Sequence, residues 1–206
     1  NRNSINIFKI MNFKKILIVI LVFNININAV SSIEPDVFVQ STVNRASQIL
    51  SENITKNEKI NKLKIIAKET VDIKGVGYYS LGSARKNLDK SQKIKYSELF
   101  EAYFLKSFSS RLAEYTNPEI EVNGKEVLNK NYTIVNSVLV GTSERPEVKI
   151  DWRIYTKNQD NPLIRDLIIE GLSLARTQKE EFSSILNSND NDINALFKTL
   201  EEFSKD

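Results

Sequence analysis

The spacing of apolar positions along the chain changes character near its middle and changes back near its end. Val39, Val43, Ala46, Ile49 and Leu50 recur at intervals of three and four, the period of one helix face. Pro35 suits the first turn of that helix, where its missing N–H costs nothing. Ile60, Leu63, Ile66 and Ala67 continue the pattern to about Asp72, and Thr55 and Glu58 stand at capping-box spacing ahead of them. Gly75, Gly77 and Gly82 then break the rhythm, which predicts a short, bent helical piece over Val76 to Leu81. The longest helical pattern opens at Ser91 as a cap and runs to about Tyr115. Ile94, Tyr96, Leu99, Phe100, Tyr103, Phe104, Leu105, Phe108 and Leu112 fall mostly on one wide stripe of it. Pro118 blocks further helix.

Beyond Pro118 the period becomes two. Ile120 and Val122 precede Asn123-Gly124, a turn signal. Tyr132 to Val140 is rich in β-branched residues, and Val148, Ile150, Trp152 and Ile154 alternate with Lys149, Asp151, Arg153 and Tyr155. That alternation predicts a strand with one buried face. Leu163 to Leu172 is a third strand, and Gly171 gives the backbone freedom to turn out of it. Thr177 and Glu180 are again spaced as a capping box, for a helix carrying Phe182, Ile185 and Leu186. Asn191 or Asp192 caps a last helix with Ile193, Leu196, Phe197 and Leu200. Helices, then strands, then helices predict an α+β fold with a mostly antiparallel, twisted sheet.

Composition narrows the chemistry by what is missing. The 206 residues include neither His nor Cys. This excludes a Ser-His-Asp triad, a Cys nucleophile, the common zinc sites and a disulfide framework. Ser173 beside Glu170 therefore lacks an evident base and reads as a turn or capping hydroxyl. Gly75-Val76-Gly77 has no preceding strand and no full nucleotide fingerprint. The carboxylates Asp151, Asp166 and Glu170 lie on strands with Arg153 and Arg165, which are placed to neutralise them across the sheet.

The net charge of +3 has a local origin. Arg2, Lys9, Lys14 and Lys15 all precede Ala29, and no acid does. Without those four, 25 basic residues face 26 acidic ones, so the body gives no electrostatic reason to bind nucleic acid. Met11 and Lys14-Lys15 lead into an apolar run from Ile16 to Phe23, and Ala29-Val30-Ser31 offers small-x-small cleavage. A basic start, a short apolar centre and a small-residue end make a secretory signal; a spanning helix needs about 20 apolar residues. The expected division is residues 1–31 as upstream residues and signal peptide, with residues 32–206 as one domain.

One ordered set of residues resembles a known family. Arg165-Asp166-Leu167-Ile168-Ile169-Glu170-Gly171-Leu172-Ser173-Leu174-Ala175, continuing to Thr177-Gln178 and Phe182, is similar to the MlaC, or toluene-tolerance auxiliary, family: a strand, a Glu-Gly-x-Ser-Leu turn and a helix. Asp151-Trp152-Arg153 on the preceding strand agrees with it, as do Leu81-Gly82, Arg85, Ser91-Gln92, Phe100, Leu112 and Tyr115. The likeness covers about residues 35 to 203. Ala84 stands where the family usually has a bulky aromatic, and Lys179 where Arg is common.

The resemblance implies a cup-like single domain with an apolar cavity between sheet and helices, occupied by phospholipid as cargo and by no cofactor or metal. It implies a periplasmic carrier, not an enzyme. Such a carrier shuttles glycerophospholipid between an outer-membrane lipoprotein–porin complex and an inner-membrane ABC transporter complex, and so maintains outer-membrane lipid asymmetry. On this reading Phe100, Tyr103, Phe104 and Phe108 face Val148, Ile150, Trp152 and Ile154, with Leu167, Ile169 and Val138 beside them, and Arg85 meets a lipid phosphate. The apolar pattern alone fits a closed core equally well. Two other classes therefore stay open: a periplasmic interaction protein with a filled core, and an enzyme using Asp166 or Glu170 as base on a lipid-like substrate.

Overall fold

The computed structural model describes residues 32–205; the signal peptide expected within residues 1–31 lies outside the described residues. Pro35 occupies the first turn of α1 (Pro35–Ser51) as expected. In α2 (Lys56–Thr70) both halves of the Thr55–Glu58 capping box form. The glycine-interrupted stretch is α3 (Ile73–Ser80), followed by a 3-10 turn over Gly82–Lys86. Gly82 there has a φ of +56°.

The long helix α4 (Lys90–Leu112) begins two residues earlier than the sequence suggested. Its cap is Asp89, whose carboxylate accepts from the Gln92 N–H at 2.8 Å while Gln92 Oε1 accepts from the Asp89 N–H at 3.0 Å. Ser91 instead donates its hydroxyl to Asp89. A carboxylate accepts this bond more strongly than a hydroxyl, and a Gln three residues on completes the reciprocal pair. The helix stops at Leu112, so Tyr115 lies beyond its end.

Five strands follow in chain order across one sheet, every neighbouring pair antiparallel: β1 (Ile120–Asn129), β2 (Tyr132–Leu139), β3 (Val148–Tyr155), β4 (Leu163–Ile169) and β5 (Leu172–Ser173). Asn123-Gly124 is not a turn. The strand runs through it, with a register shift between Val122 and Gly124, so the extra residue is absorbed as a bulge. β1 is an edge strand, and α1 covers its first half. Gln40 accepts from the Val122 N–H and donates to the Ile120 carbonyl, while Lys125 pairs with Glu34 and Asp36.

The final helices are α5 (Leu174–Asn187) and α6 (Ile193–Lys205). Thr177 lies inside α5, not at its cap. Ser173 is the cap, its hydroxyl accepting from the Arg176 N–H at 3.0 Å. Asp192 takes the equivalent position before α6, accepting from the Asn194 N–H. The core lies between the inner sheet face and the helices, and Val39, Tyr96, Phe100, Val135, Ile154, Phe182, Leu196 and Leu200 are almost wholly buried in it. Among the described residues, six α-helices and an open, five-stranded antiparallel sheet thus give the expected α+β architecture.

Candidate functional site

Phe100 is the hub of an aromatic row along α4. Its ring lies 5.8 Å from Tyr96, 6.2 Å from Tyr103, 6.1 Å from Phe104 and 6.2 Å from Phe182 of α5. Phe104 stacks on Phe108 with 5.4 Å between centroids and 10° between planes. The register of β2, β3 and β4 brings Val135, Trp152 and Leu167 side by side on the inner sheet face. Between this face and the aromatic row is a cavity of about 190 Å³. Phe100, Tyr103, Phe104, Phe108, Trp152 and Leu167 all line it, as do Val71, Val76 and Ile164.

Trp152 enters this lining with its polar edge already satisfied. Its indole N–H donates to Ser137 Oγ at 2.8 Å, and that hydroxyl donates to the Ile150 carbonyl. A buried indole needs such a partner, and having one leaves its flat face for apolar contact.

The other expected residues divide three ways. Val148, Ile150, Ile154 and Ile169 belong to or pack on the core around the cavity, but do not line it. Val138 is on the wrong face. Thr133, Val135, Ser137 and Leu139 are the buried positions of β2, so strand alternation turns Val138 to the opposite side with its partner Lys149. Arg85 sits on the exposed 3-10 turn, reaches towards the Tyr78 carbonyl at 3.5 Å and does not line the cavity.

The strand carboxylates find partners other than the strand arginines. Asp166 is buried, and its two oxygens accept from Ser173 Oγ at 2.5 Å and from the Ala175 N–H at 2.9 Å. It thus anchors the first turn of α5 to β4. Glu170 accepts from the Lys149 N–H, and Asp151 from the Asn136 amide. Arg165, displaced by the register shift beside Arg153, reaches Asp72 at 2.5 Å instead. It also donates to Tyr132 Oη at 3.0 Å and lies over the Tyr155 ring at 4.5 Å. Asp72 is simultaneously the cap of α3. This knot fixes α3 against the sheet and neutralises the Arg165 guanidinium in the cavity wall.

Polar groups collect at the opposite side. Tyr103, Ser107, Arg111, Gln178 and Glu181 line the cavity and also an open groove of about 620 Å³ between α4, α5 and α6. Tyr103 donates to Gln178 Oε1 at 2.9 Å, and Gln178 donates to Glu181 at 3.0 Å. Burial pushes the Tyr103 hydroxyl above its ordinary pKa; the Gln178 bond opposes this, Glu181 adds to it and Arg111 works against it. Sequence reading missed this rim, because Ser107, Arg111, Gln178 and Glu181 look like ordinary polar positions on the solvent sides of two helices.

A family model described as MlaC protein matches residues 40–202. A comparison with curated protein sequences finds no match. Solved structures of similar fold include the phospholipid-binding protein from Ralstonia solanacearum in complex with a phospholipid. It superposes with a TM-score of 0.70 at 16% identity, covering 84% of this chain and 97% of that one.

Proposed function

The chain belongs to the MlaC protein family, and from that premise we propose that it is a periplasmic carrier of glycerophospholipid. It takes its cargo between outer and inner membranes, exchanging it with a lipoprotein–porin complex at one and an ABC transporter complex at the other, and so maintains outer-membrane lipid asymmetry. The observation that carries the reading is the aromatic and aliphatic cavity between α4 and the sheet. The fold it shares with the phospholipid-binding protein from Ralstonia solanacearum supports it further. The export signal expected in residues 1–31 supports that compartment.

The chemistry suits transport without catalysis. Two acyl tails of roughly fifteen carbons lose about 24 kcal/mol on entering water, at about 0.8 kcal/mol per methylene. A shuttle must replace most of that with apolar contact, and the inner cavity wall offers it: Arg165 is matched by Asp72, and both oxygens of Asp166 are committed to α5.

The cavity volume adds a requirement. A void of about 150 Å³ holds a benzene, so one of about 190 Å³ holds a small fraction of a diacyl lipid. Loading therefore requires α4 and α5 to part and join the cavity to the groove beside it.

Native mass spectrometry with solvent extraction tests the proposal, on protein purified from a bacterial periplasm without detergent. The expected result is one diacyl phospholipid per chain. A folded, lipid-free protein that also fails to load from vesicles would overturn it.

A further inference from the structure

Arg111 and Glu181 line the same opening from opposite helices, α4 and α5. Both are exposed. Among the described residues neither makes an ion pair, with the other or with any third group, although ten ion pairs of up to 4.0 Å form elsewhere. Glu181 is held only by the neutral amide of Gln178. Both line the apolar cavity and the groove alike, as Tyr103 does, so they stand where the two spaces meet. A cation and an anion kept apart at the mouth of an apolar cavity match a ligand that has apolar tails and two opposite charges a few bonds apart.

We propose that Arg111 and Glu181 form a head-group site that favours zwitterionic, amine-bearing phospholipids over anionic ones. The proposal rests on the carrier reading. The Arg111 guanidinium takes the phosphate, for which its planar fork of donors is suited. The Glu181 carboxylate takes the ammonium group, and Gln178 holds that carboxylate in place. A head group without an ammonium leaves Glu181 facing the phosphate's negative charge. Arg111 also stands in the last turn of α4, where any cation suits the helix dipole. That role would be blind to the lipid's head group.

The test incubates the purified protein with vesicles of equal phosphatidylethanolamine and phosphatidylglycerol, then extracts and quantifies what it carries. Exposed ion pairs contribute about 0.2–1 kcal/mol, so the wild type should enrich phosphatidylethanolamine by roughly 1.4-fold to fivefold, at about 1.4 kcal/mol per tenfold. Glu181→Gln should return the ratio to that of the vesicles, and Glu181→Lys should invert it. Arg111→Gln should lower loading of both lipids with little change in ratio. Thermal melts check that each variant is folded. A wild type that loads both lipids at the vesicle ratio overturns the site and leaves the carrier standing, as does a ratio unchanged in Glu181→Gln. A wild type that loads neither lipid overturns the carrier and the site together.

Discussion

The hydroxyl of Tyr103 on α4 donates to the side-chain carbonyl of Gln178 on α5 at 2.9 Å, and both residues line the cavity and the groove alike. This hydrogen bond is a partition between the two spaces. On the proposed carrier reading, loading joins the two spaces and breaks this bond. Tyr103→Phe keeps the ring and its contacts with Phe182 and Phe203 and removes only the tie. We expect a stability loss of about 0.5–1.5 kcal/mol and a loading rate roughly twofold to tenfold higher, since about 1.4 kcal/mol off a barrier is tenfold. Trp152 fluorescence during mixing with phospholipid vesicles reads the rate. A slower or unchanged rate in a folded variant would show that the partition does not gate entry.

Gly77 brings α3 against the aromatic hub. A Cβ built there would stand 2.7 Å from Cδ1 of Phe100, and the Gly77 carbonyl accepts the Tyr96 hydroxyl at 2.8 Å. Gly77→Ala must therefore push Phe100 or separate α3 from α4. Overpacking of this kind costs about 1–3 kcal/mol, despite the better helix propensity of Ala. We expect a melting temperature lower by several degrees, read by circular dichroism. A variant as stable as the wild type would mean that the Phe100 ring shifts freely, and with it the cavity wall.

The elements were legible where one local signal sufficed. The Thr55–Glu58 box, Pro35 in a first turn, the alternation from Val148 to Tyr155 and the break at Gly171 all carried over. Errors arose where two signals competed. Asp89 outbid Ser91 as a cap because Gln92 completes its box, and Ser173 outbid Thr177 because the β4–β5 turn, with φ of +50° at Glu170 and +83° at Gly171, delivers the chain straight into α5. Asn123-Gly124 reads as a hairpin turn locally, but the pairing of β1 with β2 continues past it and leaves only a bulge.

The cavity residues were half legible for a related reason. Periodicity identifies a face, so Phe100, Phe104, Trp152 and Leu167 were found together. It cannot fix strand parity across Tyr132 to Val140, where apolar residues fall on both faces, and Val138 was assigned to the wrong side. Nor does it mark a polar residue whose importance comes from a neighbouring helix, as with Arg111 and Gln178.

Asp166 offers a direct contrast between structure and catalysis. Its oxygens hold the Ser173 hydroxyl and the Ala175 N–H, so its work is to fasten the start of α5. Asp166→Asn keeps the shape but turns one acceptor into a donor facing an N–H or a hydroxyl. Loss of a cap of this kind costs about 0.5–2 kcal/mol. The expected outcome is a lower unfolding midpoint in urea with lipid loading essentially retained. Abolished loading at unchanged stability would instead mark Asp166 as a functional group of the cavity.

The pH limits of stability follow from groups at the two ends of the scale. Glu58, hydrogen-bonded by Thr55, and Asp89, hydrogen-bonded by the Gln92 N–H and Ser91, are both held below the ordinary carboxylate pKa. A depressed folded value means that the cap contributes fully above about pH 4 and is lost as pH falls through the folded value. Tyr96 and Tyr103 lie at the other end, both raised above the ordinary tyrosine value chiefly by burial. Above about pH 10 the unfolded chain releases these protons and the folded one keeps them, so stability declines as pH rises from there towards the folded values. Urea midpoints should thus be lower below pH 4 and above pH 10 than between. Absorbance at 295 nm should show Tyr96, of the seven tyrosines, ionising only as the protein unfolds, and Tyr103 ionising at higher pH than an exposed tyrosine. The double variant Tyr96→Phe, Tyr103→Phe should flatten the alkaline decline, because it removes both protons from the balance. If the decline keeps its slope in a folded double variant, other groups set that limit and the buried tyrosines do not.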